Sequence, residues 1–386
     1  MYPVRKYGFL LNCMLAVFVV VGIILMISGG NFRALGYNFL SSNFPPPKGD
    51  IMPYASKHES IFSSSTRNTT QCTRRTNIAF LKVHKCGSTT MSNILHRFAL
   101  RNNLNVVLPD KNGKYFWVLG GLDQNTHKKI IPVAKGQEYN ILAVDTVYNK
   151  HIYEQLIPNH PFFLAIFREP VERYISYLFY HNITRSVLNQ KMKTNPYIFH
   201  DYTGGTPPIL NDFKFNGGML NVFSFTKQMD NEFDMIMVTE YFDQSLILLK
   251  RKLCWTFQDI IYITSNKNLA NTGYAVSPAD RQNIISRFKN DAVFYEYFKS
   301  KLFKETSKFG AGFLEELHQF QMILKLVKDY CTFVKQGDKS LVIPESTWNQ
   351  PFNVDPYECY IMQLKEFPLV RILQERQHKL YRERTT

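Results

Sequence analysis

Residues 78–90 read Ile-Ala-Phe-Leu-Lys-Val-His-Lys-Cys-Gly-Ser-Thr-Thr and decide the fold expected for the whole chain. The run 78–83 is short, largely apolar and rich in large and β-branched side chains, which is typical of a buried strand. The segment 84–90 is small, hydroxylic and basic. Beyond it, apolar residues recur at helical spacing, at Met91, Ile94, Leu95 and Phe98. The pattern therefore predicts a strand, a tight loop and a helix.

This loop has the properties of a phosphate-binding loop. A helix that begins at Gly-Ser-Thr-Thr presents free backbone N–H groups, and its dipole favours an anion there. Lys85 adds a full positive charge to the same loop. Because Lys85 precedes Gly87, the nucleotide-kinase signature is not met, since that signature places its lysine after the second glycine. An ordinary strand-to-helix turn remains the alternative.

Composition describes a globular protein that binds an anionic partner. The chain has 386 residues, of which 45% are hydrophobic and 20% charged, with a formal net charge of +15. Such a charge favours nucleic acid, a phosphorylated cofactor, an acidic glycan or a membrane surface. The basic residues are scattered and no nucleic-acid recognition motif is present, so we expect no nucleic-acid partner.

The first residues predict a membrane anchor. Arg5 and Lys6 precede the uncharged run 9–27, which is long enough to span a bilayer as a helix. The basic flank places residues 1–8 in the cytoplasm and the rest in the lumen, as a single-pass type II protein. Residues 28–76 are predicted to form a lumenal stem and 77–386 the catalytic domain. A cleaved signal peptide is the alternative. Sequons at Asn68 and Asn182 agree with a lumenal chain.

The cysteines suit an oxidising compartment. Outside the predicted anchor they are Cys72, Cys86, Cys254, Cys331 and Cys359. If Cys86 stays a free thiol in the loop, the other four allow three disulfide connectivities. No two cysteines stand at zinc-ligand spacing, so we expect no metal site.

Short apolar runs alternate with helical patterns from residue 77 onward, which predicts an α/β fold with a parallel sheet flanked by helices. Helices are expected from Thr89, from Pro170 and over 241–253. The expected strands are Ile78–Val83, Ile141–Val144, Phe162–Phe167, Met235–Val238 and Ile260–Ile263.

A second strand end also carries polar chemistry. Arg168 follows the apolar run 162–167, Pro170 opens a helix, and Ser176 lies two turns along it. Ligands of open α/β sheets lie at the carboxyl ends of the strands. A guanidinium there, with a hydroxyl eight residues on, could bind a second phosphate. The alternative is an Arg168–Glu172 pair with Ser176 on an ordinary helix face.

Together these two loops resemble the paired phosphate sites of Golgi sulfotransferases, and most closely the galactose-3-O-sulfotransferase family. The resemblance covers roughly 77–335 and implies a P-loop NTPase-like sulfotransferase fold. Its further motifs are the stretch 139–170 leading to Arg168-Glu169-Pro170, Phe215-Asn216, and Thr239 to Leu246 followed by Leu253-Cys254-Trp255.

The resemblance implies transfer of a sulfuryl group from 3′-phosphoadenylyl sulfate to a sugar hydroxyl in the Golgi lumen, without a metal. By match to the family, Lys85 and the loop Cys86, Gly87, Ser88, Thr89 and Thr90 would bind the 5′-phosphosulfate. Arg168 and Ser176 would bind the 3′-phosphate. The acceptor would be galactose in a glycolipid or glycoprotein. The family resemblance also suggests a Cys254–Cys331 disulfide.

The catalytic base is the least defined part of the predicted site. A histidine characteristic of the family falls on Asp145, so Asp145 is the first candidate and His151 the second. His84 is expected to be structural. The Glu240 to Trp255 helix is expected to serve the core, the 266–274 loop to close over the nucleotide, and loops such as 202–221 to form the acceptor pocket.

Two other functions remain open from the sequence. One is sulfation of another glycan, such as a uronic acid or a hexosamine. The other is a lumenal binding protein that kept the fold but lost turnover, which the substitution at Asp145 motivates.

Overall fold

A computed structural model describes residues 72–110, 118–180, 209–215, 217, 221–263 and 278–383. The predicted anchor 9–27, both sequons and the loop 266–274 lie outside these ranges, as does most of the predicted stem. None of the helices in the described ranges is both long and apolar enough to cross a membrane.

A four-stranded parallel sheet forms the centre of the fold, in the order β3-β1-β5-β6. Two small two-stranded sheets, β2 with parallel β4 and β7 with antiparallel β8, accompany it. Every residue of β1 and β5 is buried, as expected for strands covered on both faces. In chain order the strands are β1 (Ile78–Leu81), β2 (Val118–Gly120), β3 (Ile141–Leu142), β4 (Asp145–Thr146), β5 (Phe162–Phe167), β6 (Met235–Val238), β7 (Leu341–Ile343) and β8 (Phe352–Val354).

Helices connect and flank these strands. The first, α1, runs from the end of the β1 loop and buries Met91, Ile94, Leu95 and Phe98, the residues whose spacing predicted it. In chain order the helices are α1 (Ser88–Arg101), α2 (Lys150–Leu156), α3 (Pro170–Tyr180), α4 (Val222–Glu232), α5 (Phe242–Leu253), α6 (Phe257–Ile260), α7 (Pro278–Arg287), α8 (Lys289–Ser307), α9 (Ala311–Phe333), α10 (Pro356–Gln363) and α11 (Glu366–Glu383).

The predicted parallel sheet flanked by helices is confirmed, and four of its five strands form. The fifth prediction, a strand at Ile260–Ile263, is wrong. That run begins at the last residue of helix α6, which a capping box nucleates: Thr256 and Asp259 each cap the other's backbone N–H. Because this local capping starts a helix just before the apolar run, Ile260 ends α6 and 261–263 continue without regular structure.

The predicted disulfide is wrong as well. Cys254 bonds to Cys72, and Cys331 bonds to Cys359. Cys254 ends α5 in a left-handed conformation, and the chain before β1 runs past that helix end, where the Arg75 N–H donates to the Leu253 carbonyl at 3.0 Å. The family motif carries no signal for Cys72, which lies in the polar run assigned to the stem.

Residues 72–76 therefore pack on the domain although the sequence places them in the stem. Besides the disulfide, the Trp255 indole N–H donates to the Arg75 carbonyl at 2.9 Å. Arg74 forms an ion pair with Asp259 at 2.7 Å. These contacts attach the start of the described chain to the end of α5 and to α6.

Candidate active site

The loop between β1 and α1 leaves backbone N–H groups available to an anion. Lys85 and Gly87 both adopt left-handed backbone conformations, with φ of 63° and 75°. Within the described ranges, no protein acceptor bonds the N–H groups of Gly87, Ser88 or Thr89, and the first turn of α1 holds no acidic residue. These are the features of a helix start that binds phosphate.

The loop is held closed by side chains. The Ser88 hydroxyl is buried and donates to the Val83 carbonyl at 2.7 Å. The Thr239 hydroxyl, at the end of β6, lies 2.6 Å from the Cys86 carbonyl oxygen and 2.9 Å from that of Phe167. A single hydroxyl therefore joins the β1 loop to the end of β5, so that the carboxyl ends of three strands meet.

A side chain at Gly87 would be strained by the backbone conformation there. A Cβ built there would lie 3.4 Å from the Thr239 methyl group, in a backbone conformation that favours glycine. The Ser88 hydroxyl is already bonded to the Val83 carbonyl, so its N–H is the group left available to an anion. Of the two remaining hydroxyl residues of the loop, Thr89 is exposed and Thr90 half-buried.

The Lys85 ammonium lies 3.9 Å from the centre of the Tyr180 ring, at the end of α3. Burial, reinforced by the nearby charges of Arg168 and Lys82, lowers the pKa of Lys85 to about 8. A cation held in a half-buried position among other cations gains when an anion binds beside it. Lys85 is therefore placed to bind a phosphate group.

Arg168 lies against the same loop. Its Nη1 donates to the Lys85 carbonyl oxygen at 3.4 Å. Its Nε is buried, lies 3.9 Å from the Glu240 carboxylate and has no hydrogen-bond partner among the described residues, so the guanidinium retains capacity for a ligand. The alternative Arg168–Glu172 pair does not form, because Glu172 bonds Arg281 at 2.7 Å.

Ser176 lies where the sequence places it, two turns into α3, and only 7% of it is exposed. Cys86 is a free, fully buried thiol, and its burial raises its pKa well above the usual range. The Cys86 thiol is therefore inaccessible to a ligand, which leaves only the backbone of this residue available.

His84, in the loop, forms a pair with the carboxylate of Asp212, which follows a separate turn of the chain. The Asp212 carboxylate accepts from the His84 backbone N–H at 2.9 Å and lies 3.1 Å from Nδ1 of the His84 ring. The hydrogen bond to Asp212 is the main cause that raises the pKa of His84. With Nδ1 bonded to a carboxylate, Nε2 is the nitrogen left to accept a proton. The His84 side chain is 58% exposed, so a substrate can reach it.

Buried Asp291 holds the turn that precedes Asp212. The carboxylate of Asp291, on α8, accepts from the backbone N–H groups of Ile209 and Leu210 at 2.8 and 3.3 Å. These bonds hold the short 3₁₀ turn Ile209–Asn211 that precedes Asp212. Burial raises the pKa of Asp291 to about 6.

Asp145 lies near His84, but its carboxylate already accepts a hydrogen bond from Lys82. Its Oδ1 accepts from the Lys82 ammonium at 2.7 Å and lies 3.9 Å from the Nε2 of His84. The same ammonium lies 3.1 Å from the Glu366 carboxylate, at the start of α11. Burial alone would lower the pKa of Lys82, but the two carboxylates outweigh it and raise that pKa. Burial also raises the pKa of Glu366.

His151 lies apart from this cluster. It is exposed on α2, and its Nε2 lies 2.9 Å from the Gln155 amide of the same helix. In the described part of the chain no contact joins it to the loop. Among the described residues, no group of three or more His, Cys, Asp or Glu side chains could hold a metal ion.

Sequence reasoning missed three members of the site: Asp212, Lys82 and Glu366. Lys82 lies inside the strand-like run and carried one available signal, because a lysine in an otherwise apolar strand needs a buried counter-charge. Asp212 and Glu366 carry no such signal, because each is far in sequence from the loop residues that it contacts.

Comparison with known proteins identifies the family of this chain. The family described as galactose-3-O-sulfotransferase matches residues 6–196 and 212–339. The chain is 27% identical to human galactose-3-O-sulfotransferase 3 over 270 residues, which are 64% of this chain and 61% of that protein.

Two further human proteins are similar. Galactose-3-O-sulfotransferase 2 is 26% identical over 60% of this chain and 61% of its own length. Galactosylceramide sulfotransferase is 23% identical over 70% of this chain and 67% of its own length. The chain thus spans about three fifths of the length of the first relatives it matches, and the family match includes both the β1 loop and Arg168. The chain belongs to the galactose-3-O-sulfotransferase family.

Proposed function

We propose that this protein transfers a sulfuryl group from 3′-phosphoadenylyl sulfate to a hydroxyl of galactose, the 3-hydroxyl by analogy with the relatives' names. The observation that carries the proposal is the contact of Arg168 with the Lys85 loop. It brings two cations and a free helix start together at the carboxyl ends of parallel strands. A nucleotide with phosphate groups at both ends of its ribose matches two such cations.

Residues of this chain supply the charge compensation. Lys85 and the N–H groups of Gly87, Ser88 and Thr89 would bind the 5′-phosphate, and Arg168 with Ser176 the 3′-phosphate. As the acceptor oxygen forms its bond to sulfur, the bond from sulfur to the phosphate oxygen breaks and its electron pair stays on the phosphate. Lys85 then neutralises the developing charge, which lowers the barrier.

His84 is the base that this geometry favours. Its Nε2 would take the proton of the acceptor hydroxyl, while Asp212 holds the ring through Nδ1 and, with Asp145 at 3.9 Å, stabilises the imidazolium that forms. Asp145 and His151 stay predictions as bases. Because Lys82 occupies Oδ1 of Asp145, we assign Asp145 to the support of His84 instead.

We also propose that residues 9–27 anchor the protein in the Golgi membrane with the catalytic domain in the lumen. The two disulfides, Cys72–Cys254 and Cys331–Cys359, support an oxidising compartment.

The test is sulfate transfer by the full-length chain, solubilised in detergent, from ³⁵S-labelled donor to a panel of galactosides, uronic acids and hexosamines. We expect labelled galactosides, and loss of labelling in Lys85→Ala. Lys325→Ala, an exposed helical lysine on α9, is the matched control and should transfer as the wild type does. Equal transfer by Lys85→Ala would overturn the mechanism. Nucleotide binding with no transfer to any acceptor would favour a silent binding protein.

A further inference from the structure

A groove of about 670 Å³ opens between α2 and α4, beside the turn that carries Asp212. Its floor includes Phe213 and Phe215, and α4 contributes Phe225 and Gln228. This volume falls within the roughly 300–1,000 Å³ typical of ligand sites and is sufficient for more than one sugar ring.

Asp212 connects this groove to the reactive histidine. Its carboxylate holds His84, while its carbonyl accepts from the backbone N–H of Tyr148 at 2.9 Å. Tyr148 and Phe213, the neighbour of Asp212 in the chain, both line the groove. The turn that holds His84 therefore also forms part of the groove wall.

The lining combines apolar rings with exposed hydrogen-bond donors. Phe215 and Phe225 are both partly buried, with ring centroids 4.8 Å apart. Lys150 and Lys214 are exposed on the rim, and neither forms an ion pair within the described ranges. A pyranose has the matching surface, since its C–H face packs on aromatic rings and its hydroxyls accept from ammonium and amide groups.

From these features we propose that the groove binds the sugars next to the reacting one in an oligosaccharide acceptor. This inference rests on the proposed function, because it takes His84 as the site of the reacting hydroxyl. A glycolipid headgroup and a protein-linked glycan both carry such sugars, and the groove recognises the sugars they share.

The test compares acceptors of different length. Binding of methyl β-galactoside and of a galactose-terminated tetrasaccharide to the full-length protein is measured by calorimetry, with adenosine 3′,5′-bisphosphate present. The variant is Lys150→Ala with Gln228→Ala, two exposed positions outside the catalytic cluster. Lys325→Ala is the matched control. A second variant, Ser224→Trp, places bulk in the groove from an exposed position on α4.

We expect tetrasaccharide affinity to fall about tenfold in the double variant, equivalent to about 1.4 kcal/mol. The affinities for methyl galactoside and for the nucleotide should not change. Unchanged tetrasaccharide affinity in both variants would overturn the proposal that the groove binds the neighbouring sugars. Equal losses of affinity for the short and long sugars would overturn it as well. If the groove variants lower the tetrasaccharide affinity while the wild type sulfates no acceptor, sugar binding by the groove is supported and the proposed function is contradicted.

A second pair of acceptors identifies the source of the sugars. The same tetrasaccharide is presented free and attached to a lipid in phosphatidylcholine vesicles. Equal losses for both forms in the groove variants would support recognition of the shared sugars. A loss confined to the lipid-linked form would contradict it.

Discussion

The guanidinium of Arg168 donates a hydrogen bond to the backbone carbonyl of Lys85, 3.4 Å away, although the two residues follow different strands. Adjacent parallel strands β1 and β5 deliver them to the same edge of the sheet. The Thr239 hydroxyl from β6 joins both strand ends. The Arg168 guanidinium and the Lys85 backbone therefore lie side by side at one edge of the sheet, and each prediction below follows from that arrangement or from the groups that support it.

Nucleotide affinity should decrease at alkaline pH. The pKa of Lys85 is lowered to about 8, chiefly by burial. The protonated ammonium binds phosphate, so affinity for adenosine 3′,5′-bisphosphate should be highest below pH 8 and fall as pH rises through that value. Calorimetric titrations between pH 6.5 and 9.5 measure this. In Lys85→Ala the decline should disappear; the same decline in this variant would assign it to another group.

Catalysis should require His84 in its neutral form. Asp212 raises the pKa of His84, so kcat/KM should increase as pH rises through a value above the ordinary histidine range. Asp212→Asn removes the main cause of that shift, and the rising limb should move to lower pH. His84→Gln should lower kcat by roughly 10²- to 10⁴-fold, the usual contribution of a general base.

Asp145→Asn separates the two candidate bases. If Asp145 supports His84, this variant should retain a rising limb of kcat/KM and lose less activity than His84→Gln. If Asp145→Asn loses more activity than His84→Gln and also loses the rising limb of kcat/KM, Asp145 is the base. Circular dichroism on both variants controls for unfolding.

Glu366 should stabilise the site from outside the family match, which ends at residue 339. Lys82 is buried between Glu366 and Asp145, so Glu366→Gln removes one of its two carboxylate partners. We expect a loss of roughly 1–3 kcal/mol in the free energy of unfolding, the cost of leaving a buried polar group short of a partner. Glu375→Gln, an exposed position on α11, is the control and should be neutral in urea denaturation.

The Cys72–Cys254 disulfide should make the chain before β1 essential to stability. It joins residues 182 positions apart, for which loop-closure entropy gives about 5 kcal/mol. We expect Cys72→Ser to unfold at much lower urea than the wild type. A chain that begins at residue 77 should behave likewise. An unchanged midpoint in Cys72→Ser would show that the other contacts of residues 72–76 suffice, and an unchanged midpoint in the shorter chain would show that this segment does not stabilise the domain.

Local patterns predicted the frame of the molecule, and long-range pairing escaped them. The β1 loop, Arg168 and the sheet follow from apolar runs and from the residue types at strand ends. The strand expected at Ile260–Ile263 fails because Thr256 and Asp259 cap a helix there. The pairing of His84 with Asp212 has no local signal, because the two residues lie 128 positions apart. The disulfides depend on how the chain packs at the end of α5, which cysteine spacing does not reveal.

The most direct test of the account asks whether Lys85 and Arg168 bind opposite ends of one nucleotide. Calorimetry on the wild type, Lys85→Ala and Arg168→Ala would use adenosine 3′,5′-bisphosphate, adenosine 5′-phosphate and adenosine 3′-phosphate. Arg168→Ala should weaken the bisphosphate and the 3′-phosphate by about 10- to 100-fold and leave the 5′-phosphate unchanged.

Lys85→Ala should give the reverse pattern, with the bisphosphate and the 5′-phosphate weakened and the 3′-phosphate unchanged. The account is contradicted if either variant weakens both monophosphates equally, or if neither changes the affinity for the bisphosphate.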